Sequence, residues 1–204
     1  DLLAALTADR TTVLVQQRSA PEDVTSLLVG SDLAAPSFDH YGRLWLADRT
    51  PEGTTVQVRL AAGRLRRVLA PSLDDRQVSQ LRIAPDGTRA AVVVQRRDGT
   101  GRLFLARVVV ADGSARIEEL RRLERQLVDV RDVAWQSADR VVALARQAGA
   151  VLQPFGVGVD GTLVQAGGSL NGIVGLTASP GRPLLADTDD GRVWQDAGLG
   201  WRSL

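Results

Sequence analysis

Arg82-Ile83-Ala84-Pro85-Asp86-Gly87-Thr88-Arg89-Ala90-Ala91-Val92-Val93 reads as a strand, a tight polar turn and a second strand. Asp-Gly closes such turns because both residues tolerate positive φ. The flanking apolar runs lack the spacing of a helix face. Four other segments share the plan. Leu2 runs through Thr7-Ala8-Asp9-Arg10 into Val13-Leu14-Val15, and Ala34 through Phe38-Asp39-His40-Tyr41-Gly42 into Leu44-Trp45-Leu46-Ala47. Val133 runs through Trp135-Gln136-Ser137-Ala138-Asp139 into the strand from Val141 to Ala145. Val174 runs through Ala178-Ser179-Pro180-Gly181 into Leu184-Leu185-Ala186. Equivalent turn positions, Thr12, Arg43, Arg89, Arg140 and Arg182, lie 31, 46, 51 and 42 residues apart. The mean unit, about 41 residues, is that of a four-stranded propeller blade.

The expected fold is therefore all-β, a single domain over residues 1–204 built as a β-propeller of about five four-stranded antiparallel blades. One strand–turn–strand unit cannot cover both faces of its sheet, whereas radial stacking hides each face behind the next blade. Small residues at Ala34, Ala35, Ala84, Ala134 and Ala178 suit crowded inner strands, and Trp45 and Trp194 suit gaps between blades. Residues 116–130 carry apolar positions at helical spacing (Ile117, Leu120, Leu123, Leu127). A strand followed by a loop is the preferred reading, because a helix would leave the third unit short of a strand. Five units close a five-bladed ring or form part of a larger one, and Trp201-Arg202-Ser203-Leu204 is a candidate strand for completing the other terminal blade.

Composition removes several classes of function. With 25 basic and 24 acidic residues the formal charge is +1, unlike a dedicated nucleic-acid binder. Cysteine is absent, which excludes disulfides, thiolate metal sites and cysteine nucleophiles. Every basic residue is Arg, which excludes lysine-dependent phosphate loops and Schiff-base chemistry. No apolar run approaches the roughly 18 residues that span a bilayer. A chain starting at Asp1 is expected to be a mature form or a piece of a longer protein.

No motif assembles a catalytic or metal centre. His40 is the sole histidine and sits in a turn beside Asp39 and Tyr41, where solvent exposure is the expectation. Gly156-Val157-Gly158-Val159-Asp160-Gly161 has dinucleotide-loop spacing, but a strand-like run, Thr162-Leu163-Val164-Gln165, follows where a helix is needed. Asp187-Thr188-Asp189-Asp190-Gly191 resembles the start of a calcium loop, yet Gly198 occupies the position of the closing glutamate. Gly167-Gly168-Ser169-Leu170-Asn171 lacks the last glycine of a nucleophile elbow. Neither a cofactor nor a resident metal is expected.

The arginines are more informative. Arg64, Arg66 and Arg67 form one cluster. Arg121, Arg122 and Arg125 form another, which reads as self-neutralising because Glu118, Glu119 and Glu124 are interleaved. In a propeller the second-to-third-strand turns and the links to the next blade emerge on one side. That side is expected to carry Arg18, Arg49, Arg96, Arg97 and Arg146, suited to bidentate grip on a partner's carboxylates.

Ser37-Phe38-Asp39-His40-Tyr41-Gly42-Arg43-Leu44-Trp45, the Arg82–Val93 phrase, Asp132-Val133-Ala134-Trp135, and Pro180-Gly181-Arg182-Pro183-Leu184-Leu185-Ala186 with Gly191-Arg192-Val193-Trp194 occur here in order. Together they resemble the C-terminal β-propeller domain of the actinobacterial LpqB lipoproteins, over about Leu33 to Trp201. The resemblance implies a longer parent protein with an upstream lipidated cysteine and a sporulation-type domain, held outside the cytoplasmic membrane. It also implies association with the extracellular part of a sensor histidine kinase of the Mtr two-component type, and a role in signalling and envelope homeostasis. The expected function is thus a non-catalytic, extracytoplasmic interaction domain, with no nucleic-acid or small-molecule cofactor. The alternatives are an envelope glycan sensor, which needs exposed aromatic platforms, and a propeller glycosidase or lyase, which needs convergent carboxylates.

Overall fold

Hairpin after hairpin, the chain lays down five antiparallel sheets in sequence order. The computed structural model describes residues 2–60, 64–198 and 200–204. The first sheet holds β1 (Leu2–Leu6), β2 (Thr12–Gln17) and β3 (Ala20–Val29). The second holds β4 (Ser37–Phe38), β5 (Leu44–Thr50), β6 (Gly53–Arg59) and β7 (Leu65–Arg67). The third holds β8 (Gln77–Ile83), β9 (Arg89–Gln95), β10 (Gly101–Ala111) and β11 (Ser114–Arg122). The fourth holds β12 (Leu127–Trp135), β13 (Arg140–Gln147), β14 (Gln153–Gly158) and β15 (Leu163–Gln165). The fifth holds β16 (Ile173–Thr177), β17 (Leu185–Thr188), β18 (Val193–Asp196) and β19 (Trp201–Ser203). Among the described residues there is no helix, and the sheets are the blades of a β-propeller as the repeats predict.

Two details refine the expectation. The first sheet has three strands where the other four have four. The C-terminal strand β19 pairs with β18 and completes its own sheet, through Trp194–Ser203 and Asp196–Trp201 register partners. Residues 116–130 form the end of β11, a link, and the start of β12, as the strand-plus-loop reading requires.

The chain packs as two compact units. One comprises Asp1–Val92 with Ala106–Leu120, and the other Val93–Leu105 with Arg121–Leu204. In the first unit, Val13, Val15, Leu33, Leu44 and Leu46 form one buried cluster. In the second, Val142, Leu144, Ile173, Leu176, Leu184 and Ala186 form another.

Successive sheets are joined by side-chain oxygens that accept backbone N–H groups. Asp48 accepts from Ser31 and Asp32 at 2.9 and 3.0 Å. Ser37 in β4 accepts from Ile83 in β8 at 2.9 Å, and Thr54 in β6 accepts from Val78 at 3.0 Å. Asp129 in β12 accepts from Gly101 in β10 at 2.9 Å, and Asp132 accepts from Leu176 in β16 at 2.9 Å. The Val78, Ile83, Gly101 and Leu176 donors are buried, so an unmade bond there leaves a buried N–H without a partner. The third strands of two sheets start at a glycine for a related reason. A Cβ on Gly53 would stand 1.6 Å from the Asp74 carbonyl oxygen, and one on Gly101 1.9 Å from that of Val130.

The turns are held by their own aspartates. In each Asp-Gly-Thr triplet the Asp carboxylate accepts the Thr amide, at 2.9 Å from Thr88, 3.0 Å from Thr100 and 2.9 Å from Thr162. Asp39 goes further. Its buried carboxylate accepts from the Tyr41 and Arg43 amides at 3.0 and 3.1 Å, from Arg43 Nε at 2.6 Å and from Trp45 Nε1 at 3.0 Å. That network fixes the turn that feeds β5, whose Trp45 is 1% exposed.

Two outcomes follow from this architecture. Asp39→Ala strands an indole N–H and a guanidinium in the interior, so it should cost about 3 kcal/mol in urea unfolding. The same change at exposed Asp9 should move the urea midpoint far less. Acid sensitivity follows from the turns. Thr100 hydrogen bonds lower the Asp98 carboxyl and Thr162 hydrogen bonds that of Asp160. Burial raises Asp86, but the Thr88 amide and Arg89 outweigh it, and its carboxyl also ends lowered. Depressed carboxyls favour the fold above the unfolded carboxylate value of about 3.9. That contribution is lost as pH falls through the folded values. The urea midpoint should therefore be level from about pH 7 to 5 and fall below about pH 4.

Candidate functional site

The end of the second unit where β9 turns into β10 and β11 leads into β12 concentrates the arginines. The hairpin turn Arg96-Arg97-Asp98-Gly99-Thr100 is closed by the Arg96 N–H to Thr100 O bond at 2.9 Å. The link from Arg122 to Leu127 lies at the same end, because β10 starts and β11 finishes there. Asp129 ties the two together by accepting the Gly101 amide. Leu127 is paired in register with Gln147, which brings Arg146 at the end of β13 to this end as well.

What makes the region unusual is the direction of its acids. Glu124 is 7% exposed, and its two oxygens accept the Gln126 and Leu127 amides, each at 2.6 Å. Asp129 is 1% exposed and Asp132 8%. Register shifts in β12 around residues 128 and 131 break the alternation of the strand. Asp129 and Asp132, three apart, are therefore both buried, while Arg131 between them is exposed. The self-neutralising reading of Arg121, Arg122 and Arg125 does not hold at Glu124, which serves the backbone of its own link.

The guanidiniums are positioned rather than loose. Arg102 donates to the Leu127 carbonyl at 2.9 Å. Arg122 donates from Nε to the Glu124 carbonyl at 2.9 Å and from its terminus to the Arg125 carbonyl at 3.2 Å. Arg131 Nε and Arg146 both approach Asp129 Oδ2, at 2.8 and 3.4 Å. Arg96 has Asp98 at 3.9 Å. Burial and then the charges of Arg102 and Arg125 lower the Arg122 guanidinium from its ordinary value, against a smaller opposing effect of Glu124.

The five arginines expected at the loops separate by unit. Arg96, Arg97 and Arg146 lie at the end just described, and all three are exposed. Arg18 is exposed in the β2–β3 turn of the first unit. Arg49 closes β5 with a side chain only 14% exposed, ion-paired with Asp32, which also takes Arg10 at 3.0 Å. The structure adds Arg102, Arg122, Arg125 and Arg131. The sequence signal for them was the Arg-rich link next to an Arg-rich turn, obscured by the intervening glutamates.

Other motifs resolve as hairpins. Gly156–Gly161 ends β14 and turns into β15, with the Gly161 amide bonded to the Gly158 carbonyl at 2.9 Å. Asp187–Gly191 is the β17–β18 turn, in which Thr188 Oγ1 donates to Asp190 at 2.5 Å. Gly168 lies in the β15–β16 loop and accepts from Trp201 Nε1 at 2.7 Å. His40 is exposed, its ring tilted 41° against that of Tyr41 with centroids 3.7 Å apart, and its Nδ1 lies against the Pro85 carbonyl. Among the described residues no group of three or more His, Cys, Asp or Glu side chains is arranged to hold a metal ion.

Comparison with known proteins places this geometry in a family. The family model described as the Lipoprotein LpqB beta-propeller domain matches residues 1–204. Lipoprotein LpqB of Streptomyces avermitilis is 34% identical over 182 residues, covering 84% of this chain and 30% of that protein. Lipoprotein LpqB of Thermobifida fusca is 28% identical over 241 residues, covering 98% of this chain and 38% of that protein. The chain thus spans about a third of the length of these relatives. Among solved structures, the PQQ-bound aldose sugar dehydrogenase of Streptomyces coelicolor matches with a TM-score of 0.63 at 12% identity, covering 100% of this chain and 78% of that one, a likeness of fold alone. Matched over residues 1–204 by that propeller model and over 84% of its length by a relative at 34% identity, the chain belongs to the LpqB lipoprotein β-propeller family.

Proposed function

We propose that this domain is a non-catalytic docking module of an extracytoplasmic lipoprotein, and that it binds the extracellular domain of a sensor histidine kinase. Its parent is anchored to the membrane through an upstream lipidated cysteine, and docking modulates Mtr-type two-component signalling and envelope homeostasis. The observation that carries this reading is the arginine-rich end of the second unit, where Glu124 and Asp129 are buried while Arg96, Arg97, Arg125, Arg131 and Arg146 are exposed. Family membership supports the lipoprotein setting.

Arg96, Arg97 and Arg146 make the direct contacts. Arg49 acts from behind by holding its loop on Asp32. Rigid hairpin turns present these side chains at low entropic cost, and paired guanidiniums match carboxylates in direction as well as charge. Trp45, Trp135 and Phe155 are buried in the sheets and unavailable to stack on a sugar, which leaves Tyr41 and Phe38 as the exposed aromatics a glycan-sensing role would need.

The purified domain should bind the kinase ectodomain in biolayer interferometry. Changing Arg96, Arg97 and Arg146 together to Gln should weaken binding about tenfold, mostly through faster dissociation. Absence of binding by the unaltered domain, or turnover of sugar or peptide substrates by it, would overturn the reading.

A further inference from the structure

We infer that the crowded arginines of the second unit form a receptor for an acidic peptide segment, a run of closely spaced Asp and Glu side chains in the partner protein. This deepens the docking reading and rests on it for the partner's identity. Arg96, Arg102, Arg122 and Arg125 form its centre, and Arg131 and Arg146 its margin.

Position comes first. Arg102 and Arg122 each give part of their guanidinium to carbonyls of the 124–127 link. That fixes the groups while leaving other N–H donors for a ligand. Among the described residues Arg125 makes no ion pair or hydrogen bond through its side chain, and it stands at the tip of the same link.

Local charge comes second. At the centre, the Glu124 carboxylate is turned inward onto two backbone amides, and at the margin Asp129 divides its oxygens between the Gly101 amide and the Arg131 and Arg146 guanidiniums. Exposed Asp98 lies 3.9 Å from Arg96, and Arg102 also helps to lower its carboxyl. Like charges held this close repel, and burial and the neighbouring arginines lower the Arg122 guanidinium accordingly. A ligand bringing several negative charges at once relieves that repulsion, which a single anion does less well.

The chemistry of the margin points to carboxylate. Asp129 Oδ2 already lies 2.8 Å from Arg131 and 3.4 Å from Arg146, so two guanidiniums share one carboxylate oxygen within the fold. A bilayer surface fits less well. Leu123 and Leu127 in the link are buried, and no large exposed apolar side chain lies between Leu69 and Val151 to enter the lipid interface. A nucleic acid lacks its usual stacking platform, since Phe104 and Trp135 are the aromatics of this stretch and Trp135 is buried.

The test is a fluorescence-anisotropy titration of the folded domain with a labelled poly-glutamate peptide. Parallel arms use phosphatidylglycerol vesicles and inorganic polyphosphate. The unaltered domain should bind the peptide, with affinity falling steeply as salt rises. The triple change Arg102→Gln, Arg122→Gln, Arg125→Gln should weaken it about tenfold or more. Because Arg102 and Arg122 also brace the link, a second variant, Arg96→Glu with Arg125→Glu, alters exposed charge alone and should weaken binding at least as much. Arg64→Gln with Arg67→Gln in the first unit should leave it unchanged. Equal peptide binding by the charge-reversed domain, or tighter binding to vesicles or polyphosphate than to peptide, overturns the inference. The kinase ectodomain is titrated separately. Its failure to bind sinks the docking reading, whereas the peptide result judges the arginine receptor on its own.

Discussion

A backbone amide at the seam between two blades has nowhere to go. Inner strands of adjacent blades meet side to side rather than in register, so the ladder that satisfies a sheet stops at its edge. The oxygens of Ser37, Thr54, Asp129 and Asp132 fill that gap. Each removes a penalty of about 1–3 kcal/mol for an unpaired buried donor. The close approaches at Gly53 and Gly101 belong to the same constraint, since the next segment of backbone passes where a side chain would stand.

That constraint shapes the candidate site. Asp129 is recruited to the seam by the Gly101 amide, and Glu124 is recruited by its own link. Both carboxylates are thereby withdrawn from the surface. The arginines that share their sequence neighbourhood remain outside, with long side chains whose apolar stems lie against the fold while the guanidiniums stay wet. Packing at a seam and the recognition surface beside it are two results of the same local choice.

The strand–turn–strand plan was legible because turn chemistry is local. Asp86-Gly87 and Asp160-Gly161 need nothing beyond themselves and the following Thr to close. Arg116 to Val130 resolved as strand and link by counting strands per blade. The missing strand of the first sheet was not legible, because the period was counted on inner hairpins and outer strands are short and weakly patterned, as at Leu163–Gln165. Arg96, Arg97 and Arg146 were identifiable from loop position. Arg102 and Arg131 were not, and Arg122 was legible only as part of a self-neutralising cluster, since exposure and crowding depend on which way Glu124 and Asp129 face. Irregularities in the β12 register decide that for Asp129 and Asp132, and alternation along a strand cannot forecast a bulge.

The inward turn of those acids also bears on how the molecule behaves before any contact is made. A chain whose formal charge is +1 is almost neutral to a distant observer. Yet concentrating cations at one end of a unit gives it a dipole moment, and a dipole in a non-uniform field feels a torque even when its monopole is small. Approaching an anionic surface, that unit feels a torque turning its arginine-bearing end forward once within about a Debye length, roughly 8–10 Å at physiological salt.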